Sequence, residues 1–289
     1  MTKPADLEVG GLFRFRIDLA YDGTEFWGWA MQPGIPSVQG ELVTALTTVF
    51  GESKDAFGMR VAGRTDAGVH ATAQVAHIDL TAAQLKRLGR SVGMVGKLND
   101  LLPPSIRIHS VTEAPFGFDA RFSASYRRYR YRIADGLAPK NPLKARYTLW
   151  LNHELDLLAM KAASLELLGM HDFASFCRRK PNATTIREVR EIQIKRNPVE
   201  ENIIEVELLA DAFCHNMVRS IVGALIAVGE GRASVEDIDT RLKAADRTSS
   251  YKVVAAKGLT LMEIGYPPAH QMAAQVARTK DTRTLDETD

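Results

Sequence analysis

Residues 13–19, Phe-Arg-Phe-Arg-Ile-Asp-Leu, decide how the chain begins to fold. Apolar side chains at every second position alternate with charged ones, which is the pattern of a half-buried β-strand. Asp22-Gly23 then favours a turn, and Ser37 can cap a helix whose apolar residues fall on one face. The start of the chain therefore predicts a strand, a turn and an amphipathic helix.

The remaining pattern predicts two halves with the same order of elements, β-α-β-β-α-β. The predicted strands are 13–19, 57–62, 74–80 and 106–111 in the first half and 126–133, 186–195, 203–210 and 259–264 in the second, and the predicted helices begin near 37, 85, 154, 215 and 234. This order is that of the split βαβ, or ferredoxin-like, unit. We expect an α+β fold with one extended, mainly antiparallel sheet and helices on one face.

The domain organisation follows from this order of elements. We predict an N-terminal tail (1–12), a first ferredoxin-like half (13–114), a second half (115–268) and a loose C-terminal tail (269–289), because the last segment has no apolar periodicity. The chain of 289 residues, with 21 Gly and 12 Pro, has the composition of a globular protein, which excludes a disordered chain, a collagen and a coiled coil.

The charge is unevenly distributed along the chain. The total is +2, but residues 115–196 carry +8, against −1 in residues 1–114 and −5 in residues 197–289. A local basic excess is typical of proteins that bind nucleic acid. The alternative is a solvated basic face that pairs with acidic side chains elsewhere in the fold.

Other signals exclude several classes of protein. We expect no secretory leader at 1–11, and the longest apolar run, Met217–Val228, is too short for a membrane span. Cys177 and Cys214 stand far apart in no CxxC motif, so we expect reduced thiols and a cytoplasmic protein. The histidines have no metal-ligand spacing, so we expect no metal.

Residues 63–71, Gly-Arg-Thr-Asp-Ala-Gly-Val-His-Ala, are the first candidate site. Arg64, Thr65 and Asp66 bring a guanidinium, a hydroxyl and a carboxylate between two glycines that permit tight turns. Taken alone, such a loop is more typical of a simple turn. It is not a phosphate-binding P-loop, because no Gly-Lys-Ser/Thr follows.

Arg219 is the second candidate, since it flanks the apolar stripe of the helix predicted over 215–228. No acidic residue stands three or four positions away on that helix. A guanidinium beside a buried face needs a carboxylate from another element, or else it extends to solvent.

Two segments combine aromatic and basic residues in a way that suits RNA. They are 118–122, Phe-Asp-Ala-Arg-Phe, and 126–132, Tyr-Arg-Arg-Tyr-Arg-Tyr-Arg. Guanidinium groups meet phosphates, and a ring such as Tyr129 stacks on an unstacked base. The alternative is a strand with a basic outer face and inward-packed tyrosines. Arg178-Arg179-Lys180 is a further basic cluster.

Several motifs in the same order resemble the tRNA pseudouridine synthase A family. They are Tyr21-Asp22-Gly23-Thr24, Phe26, Gly28-Trp29, Ser37–Gly40, the loop 63–71, Phe118–Phe122, Arg128–Tyr131, Phe213–Gly223 and the segment from Gly258-Leu259 through Tyr266-Pro267. They span about residues 13–268, and the nine-residue loop is highly specific. Ala30 departs from the family, which usually has Gln there, but it lies away from that loop.

The resemblance implies the pseudouridine synthase fold and a homodimer that isomerises uridine to pseudouridine at positions 38–40 of the tRNA anticodon stem-loop. By motif match, Asp66 is the catalytic aspartate, Arg219 pairs with it, Arg64 helps to flip the base and Tyr129 stacks on the uracil. The RNA contacts implied are Phe118, Asp119, Ala120, Arg121, Phe122, Arg178, Arg179 and Lys180. The reaction involves no redox step and no net change of atoms, so no cofactor is expected.

Two other functions fit parts of the sequence. A non-catalytic RNA-binding protein would share the basic segment and Tyr129, but it has no use for Asp66, which repels phosphate. A glycosidase with a pair of carboxylates needs a second acid opposite Asp66, and no motif supplies an obvious one.

Overall fold

The computed structural model describes residues 8–9, 11–53, 55–88, 93–178, 184–246 and 251–280. The strands, in chain order, are β1 (Glu8–Val9), β2 (Leu12–Tyr21), β3 (Arg60–Val61), β4 (His70–Thr81), β5 (Ile106–Glu113), β6 (Tyr126–Ala134), β7 (Leu149–Trp150), β8 (Gly169–Asp172), β9 (Ile186–Asn197), β10 (Ile203–Ala210) and β11 (Leu259–Gly265). The helices are α1 (Val38–Phe50), α2 (Ala82–Leu88), α3 (Met94–Leu101), α4 (Leu157–Leu165), α5 (Met217–Gly229), α6 (Val235–Ala244) and α7 (Met272–Lys280).

The chain divides into two compact units. The first comprises Met1–Ser125 and Leu261–Asp281, and the second comprises Tyr126–Thr260 and Thr282–Asp289. These bounds differ from the predicted halves, since the boundary follows Ser125 and the end of β11 returns to the first unit. In the first unit Thr72 on β4 donates a hydrogen bond to the carbonyl of Leu261 (3.3 Å). No local sequence pattern predicts this contact between distant segments.

In the first unit β2 is a central strand. It pairs antiparallel with β4 and with β5, and β3 pairs antiparallel with β4, so the order is β5-β2-β4-β3. This is the strand order of a split βαβ unit. Phe15, Ile17 and Leu19 are buried, as the alternating pattern predicts. Ser37 caps α1 by accepting a hydrogen bond from the Gly40 amide.

The second unit repeats the antiparallel arrangement. β10 pairs antiparallel with both β6 and β9, β8 adds to β9, and the short β7 is parallel to β6. Nearly every residue of α5 is buried, and the predicted capping box of α6 is present between Ser234 and Asp237. The predicted α+β class with a mainly antiparallel sheet is confirmed.

Some elements differ from their predictions. The strand predicted at 57–62 begins only at Arg60, after a 3-10 turn (Ala56–Gly58) in which Phe57 has a positive φ. The helix predicted through 85–98 is described as α2 and α3, and residues 89–92 between them lie outside the described part.

The C-terminal segment was predicted to be a loose tail, but residues 272–280 form α7. Met272 is buried, the Gln275 amide donates to the carbonyl of Ala124 (3.4 Å), and Ala273 lies against Gly117. Contacts with distant residues of the same unit therefore define this helix, and apolar periodicity does not detect them.

The expectation of reduced thiols is also wrong for this structure, because Cys177 and Cys214 form a disulfide with a Cα–Cα separation of 5.7 Å. The Arg178 amide donates to the carbonyl of His215 (2.9 Å), so the two segments run side by side although 37 positions separate the cysteines. Distance along the sequence was a poor guide to distance in the fold.

Candidate functional site

The loop 63–71 connects β3 to β4 and is anchored by backbone hydrogen bonds. The Trp29 amide donates to the carbonyl of Thr65 (3.0 Å), and the Gly68 amide donates to the carbonyl of Phe26 (3.2 Å). The Gln74 side chain donates to the carbonyl of Gly63 (2.8 Å). Because these bonds hold the loop at three points, its backbone is fixed before any ligand binds.

A buried polar network lies beneath the loop. The Tyr21 hydroxyl accepts a hydrogen bond from the Gln74 amide (3.0 Å) and bonds with the Thr65 hydroxyl (2.8 Å). Burial raises the pKa of Tyr21 to about 12, against the opposing effect of the hydrogen bonds with Thr65 and Gln74. The phenol therefore stays protonated at neutral pH. Three satisfied polar side chains make the loop rigid.

Two glycines permit the close approach of the 21–29 segment to the loop. A Cβ on Gly23 would lie 2.0 Å from the carbonyl oxygen of Val69. Gly28 has a φ of +96°, and a Cβ there would lie 2.7 Å from the carbonyl oxygen of Thr65. Only a residue without a Cβ fits such contacts. The sequence motif containing these glycines thus has a steric function.

Accessibility alternates along the start of the loop. Arg64 is exposed, Thr65 is buried and Asp66 is partly exposed. The Val69 amide donates to the Asp66 carbonyl (3.2 Å), which closes a turn after the carboxylate. The first unit therefore presents an exposed Arg64 and a partly exposed Asp66 on an anchored loop, and the roles predicted for the two residues stay predictions.

The segment 118–122 is largely structural. Phe118 and Ala120 are buried, the Phe118 carbonyl accepts from Arg14 (2.8 Å), and the Ala120 amide donates to Nδ1 of His77 (2.9 Å). The Asp119 carboxylate accepts hydrogen bonds from the backbone amides of Arg121 (2.8 Å) and Phe122 (3.0 Å).

The side chains of Phe118 and Ala120 are buried in this structure, and their contact with RNA stays a prediction. Arg121 is exposed, and its guanidinium lies 5.1 Å from the centre of the Phe122 ring. Within this motif Arg121 and Phe122 remain the accessible candidates for RNA contact, while Asp119 holds their backbone in place.

His77 is a buried histidine that no sequence motif marks as functional. Among the described residues its Nε2 has no hydrogen-bond partner, while Nδ1 accepts from Ala120. Burial, reinforced by the positive charge of Arg14, lowers the pKa of His77 to about 4, with Asp119 and Asp79 opposing. His77 is therefore neutral in the folded protein across the physiological range.

His77 should make the protein sensitive to acid. An unfolded chain protonates this histidine near pH 6.5 and the folded one only near pH 4, so unfolding is favoured as the pH falls between these values. We expect wild type to lose about 3 kcal/mol more than His77→Asn over this interval, as measured by urea unfolding at several pH values. Parallel losses in the two proteins would contradict this.

In the second unit, the two faces of β6 lie in different environments. Residues 127, 129, 131 and 133 are buried and the residues between them are half-buried, which confirms the predicted alternation. Carboxylates on β9 and β10 meet the basic face: Arg128–Glu191 (3.0 Å), Arg128–Glu207 (3.7 Å), Arg130–Glu207 (2.6 Å), Arg130–Glu205 (3.5 Å) and Arg132–Glu205 (3.6 Å). Acidic side chains in the fold therefore neutralise this basic stripe, as the second of the two interpretations held.

Arg130→Gln should consequently lower the free energy of unfolding, whereas its effect on RNA binding should be small. It leaves Glu205, which is only 2% exposed, with less compensation. We expect a loss between about 1 kcal/mol, typical of exposed pairs, and about 3 kcal/mol, typical of buried ones, in urea unfolding. The slope of log Kd for RNA against log salt should stay unchanged. A slope reduced by about one would instead identify Arg130 as a phosphate contact.

Tyr129 and Arg219 also lie in the second unit. Tyr129 is buried, and the Phe213 ring meets it edge to face at 5.2 Å. On α5, the Arg219 Nε donates to the carbonyl of Val254 (2.8 Å), and its Nη1 lies 3.4 Å from Oδ1 of Asn216. The pairing of Arg219 with Asp66, which belongs to the first unit, stays a prediction.

The remaining predicted contacts are partly described. Arg178 is exposed. Arg179 and Lys180 lie outside the described residues. Within the described ranges no group of three or more His, Cys, Asp or Glu side chains is placed to hold a metal ion. None of the helices described has the length and apolar character needed to cross a membrane.

Comparison with known proteins places the chain in a family. A family model described as tRNA pseudouridine synthase matches residues 163–267. A relative from Leifsonia xyli subsp. xyli, named tRNA pseudouridine synthase A, is 45% identical over 94% of this chain and 98% of its own length. Relatives of the same name from Streptomyces avermitilis (45% identity, 95% of each chain) and Mycobacterium leprae (43%, 98% of this chain and 99% of its own) are similar.

A solved structure of a Cbf5-Nop10-Gar1 complex aligns with 86% of this chain and 49% of that chain, with a TM-score of 0.34 and 12% identity. That likeness is too low to support a conclusion. The curated relatives match nearly from end to end at 43–45% identity. The chain therefore belongs to the tRNA pseudouridine synthase A family of RNA-modifying enzymes.

Proposed function

We propose that this enzyme isomerises uridine to pseudouridine at positions 38, 39 and 40 of the tRNA anticodon stem-loop, with Asp66 as the nucleophile after base flipping. The observation that carries the proposal is the anchored loop 63–71, which presents an accessible Asp66 and Arg64. The names of the relatives support tRNA as the substrate.

The chemistry requires a group that acts on a sugar or ring carbon. The bond between N1 of uracil and C1′ breaks, the uracil rotates, and a bond from C5 to C1′ forms, while C5 releases its proton and N1 gains one. A carboxylate serves as the nucleophile at C1′ or C6. No electrons enter or leave, and the atoms balance.

The other predicted residues act around the flipped base in this proposal. Arg219 keeps Asp66 ionised, because an opposite charge favours the charged form of a carboxyl group. Tyr129 stacks on the uracil, and Arg64 fills the space that the flipped base leaves. These contacts offset part of the flipping cost, which is about a few kcal/mol.

The proposal assigns phosphate contacts to three exposed arginines outside β6. They are Arg64, Arg121 and Arg178. Phosphate contacts release counterions. We therefore expect the logarithm of the RNA affinity to fall linearly with the logarithm of the salt concentration, with a slope proportional to the number of phosphate contacts. The proposal also includes a homodimer in which one tRNA contacts both copies, as the family resemblance implies, and action in the cytoplasm.

Tritium release tests the proposed function. Three anticodon stem-loops would each carry a single C5-tritiated uridine, at position 38, 39 or 40, and a fourth would carry it elsewhere in the stem. We expect release from the first three, because C5 loses its hydrogen when the new bond forms, and none from the fourth. Binding without release from any of them would contradict the proposal and favour a non-catalytic RNA-binding protein.

A further inference from the structure

Trp27 is a large aromatic side chain that the fold leaves in solvent. It is 66% exposed, whereas Trp29, two positions later, is 1% exposed. A single exposed apolar residue is common in proteins, so exposure alone assigns no function. What distinguishes Trp27 is the backbone that carries it.

The backbone on both sides of Trp27 is fixed to the candidate loop. Before it, the Phe26 carbonyl accepts from Gly68, and after it, Gly28 packs on the loop so closely that a Cβ would lie 3.2 Å from the carbonyl carbon of Asp66. The Trp27 amide itself donates to the carbonyl of Pro36 (2.9 Å). Since consecutive Cα atoms are about 3.8 Å apart, the Trp27 backbone lies within about 8 Å of the Asp66 backbone.

The surroundings of Trp27 favour a nucleobase over other occupants. Met31 (50% exposed) and Ile35 (38% exposed) stand on the same 26–36 segment. Arg64 is exposed on the loop to which this segment is anchored. Exposed rings beside a guanidinium are the combination that binds unpaired RNA, because the ring stacks on a base and the cation meets the backbone.

We propose that Trp27 stacks on an unpaired nucleobase of the RNA, next to the uridine that is flipped toward Asp66. The inference rests on the proposed function and deepens it, since it assigns a substrate-binding residue to the same site. Successive stacked bases are about 3.4 Å apart along a strand. The distance of about 8 Å between the Trp27 and Asp66 backbones therefore corresponds to roughly two bases. A ring carried by a fixed backbone also binds at a lower entropic cost than a ring on a mobile segment.

The test uses the full chain and an anticodon stem-loop. Wild type, Trp27→Phe and Trp27→Ala are compared, with Leu101→Ala as a control, because Leu101 is an exposed apolar residue (47%) at the end of α3. Affinity is measured by the anisotropy of fluorescein-labelled RNA, and the quenching of tryptophan emission is measured with unlabelled RNA. Trp27 is exposed, so these variants should fold like wild type.

We expect Trp27→Ala to weaken RNA binding about tenfold, Trp27→Phe to keep affinity within about threefold, and Leu101→Ala to change nothing. The emission of wild type should be quenched by RNA, and most of the quenching should disappear in Trp27→Phe. Unchanged affinity of Trp27→Ala would overturn the proposal. So would unchanged RNA affinity together with a change in sedimentation, since Trp27 would then lie in a contact between protein copies.

Failure of this proposal is distinguishable from failure of the proposed function. Wild type is assayed for tritium release in parallel. Release by wild type with unaffected binding by Trp27→Ala rejects only the stacking role. Quenching that depends on Trp27 without tritium release rejects the proposed reaction and leaves Trp27 as an RNA contact.

Discussion

Asp66→Asn should abolish pseudouridine formation, with a fall of at least about a thousandfold in the single-turnover rate. Asparagine has nearly the size of aspartate, but its amide is a poor nucleophile. Hydrogen bonds from the Trp29 amide to Thr65, from the Gly68 amide to Phe26 and from the Gln74 side chain to Gly63 anchor the loop, and these bonds do not involve the side chain at position 66. The variant should therefore fold and bind RNA, and the loss should lie in the chemical step. Tritium release under single-turnover conditions measures it.

A matched control separates chemistry from charge. Asp100→Asn removes one carboxylate from an exposed position on α3 and should leave the rate unchanged. RNA affinity should be unchanged or slightly higher in Asp66→Asn, because one negative charge is removed from the RNA site. Retention of more than a tenth of the wild-type rate would show that Asp66 is not the nucleophile.

Local patterns predicted the strands well because each pattern is written in adjacent residues. β10 has the predicted bounds, 203–210, and the alternation in β2 and β6 places the buried side chains correctly. α7 could not be predicted in this way. The contact of Ala273 with Gly117 and the hydrogen bond from Gln275 to Ala124 depend on a segment about 150 positions earlier.

The function of the basic stripe on β6 could not be settled from the sequence. Its carboxylate partners stand on β9 and β10, some 60 to 80 positions later, and only the register of the strands brings Glu207 opposite Arg130. A one-residue slip in that register would turn the carboxylates to the other face. The sequence therefore left two interpretations open, and the pairing of the strands distinguishes them.

The candidate site was predicted in part. The loop 63–71 stood out because a specific motif carries it, but nothing in the sequence pattern indicates Gln74, which is one polar residue inside a strand. Its support of Tyr21 and Gly63 becomes visible only when β4 lies beside β2. The motif thus predicted which groups are presented, while the fold supplies what holds them.

Gly23→Ala should lower both stability and turnover. The added Cβ would lie 2.0 Å from the carbonyl oxygen and 2.5 Å from the carbonyl carbon of Val69, which are backbone atoms that cannot rotate away. The Gly23 amide also donates to Nδ1 of His70 (3.1 Å), which fixes the turn from the other side. We expect a loss of about 2–3 kcal/mol in urea unfolding, at the upper end of overpacking effects.

Turnover in Gly23→Ala should fall about a hundredfold, because a displacement of about 1 Å in a positioned group has effects of that size. The Val69 amide is hydrogen-bonded to the backbone carbonyl of Asp66, so a shift of Val69 should displace the Asp66 backbone and with it the carboxylate.

Gly96→Ala is the control. Gly96 lies in α3, and an added Cβ there would meet no neighbouring atom within 4 Å, so stability should stay equal or rise by up to about 1 kcal/mol. If Gly23→Ala were destabilised yet kept kcat within threefold, the close packing would stabilise the fold without positioning Asp66. A fall in kcat with RNA affinity retained would instead place the effect on the orientation of the carboxylate, because misplacement of a reacting group lowers kcat without weakening substrate binding.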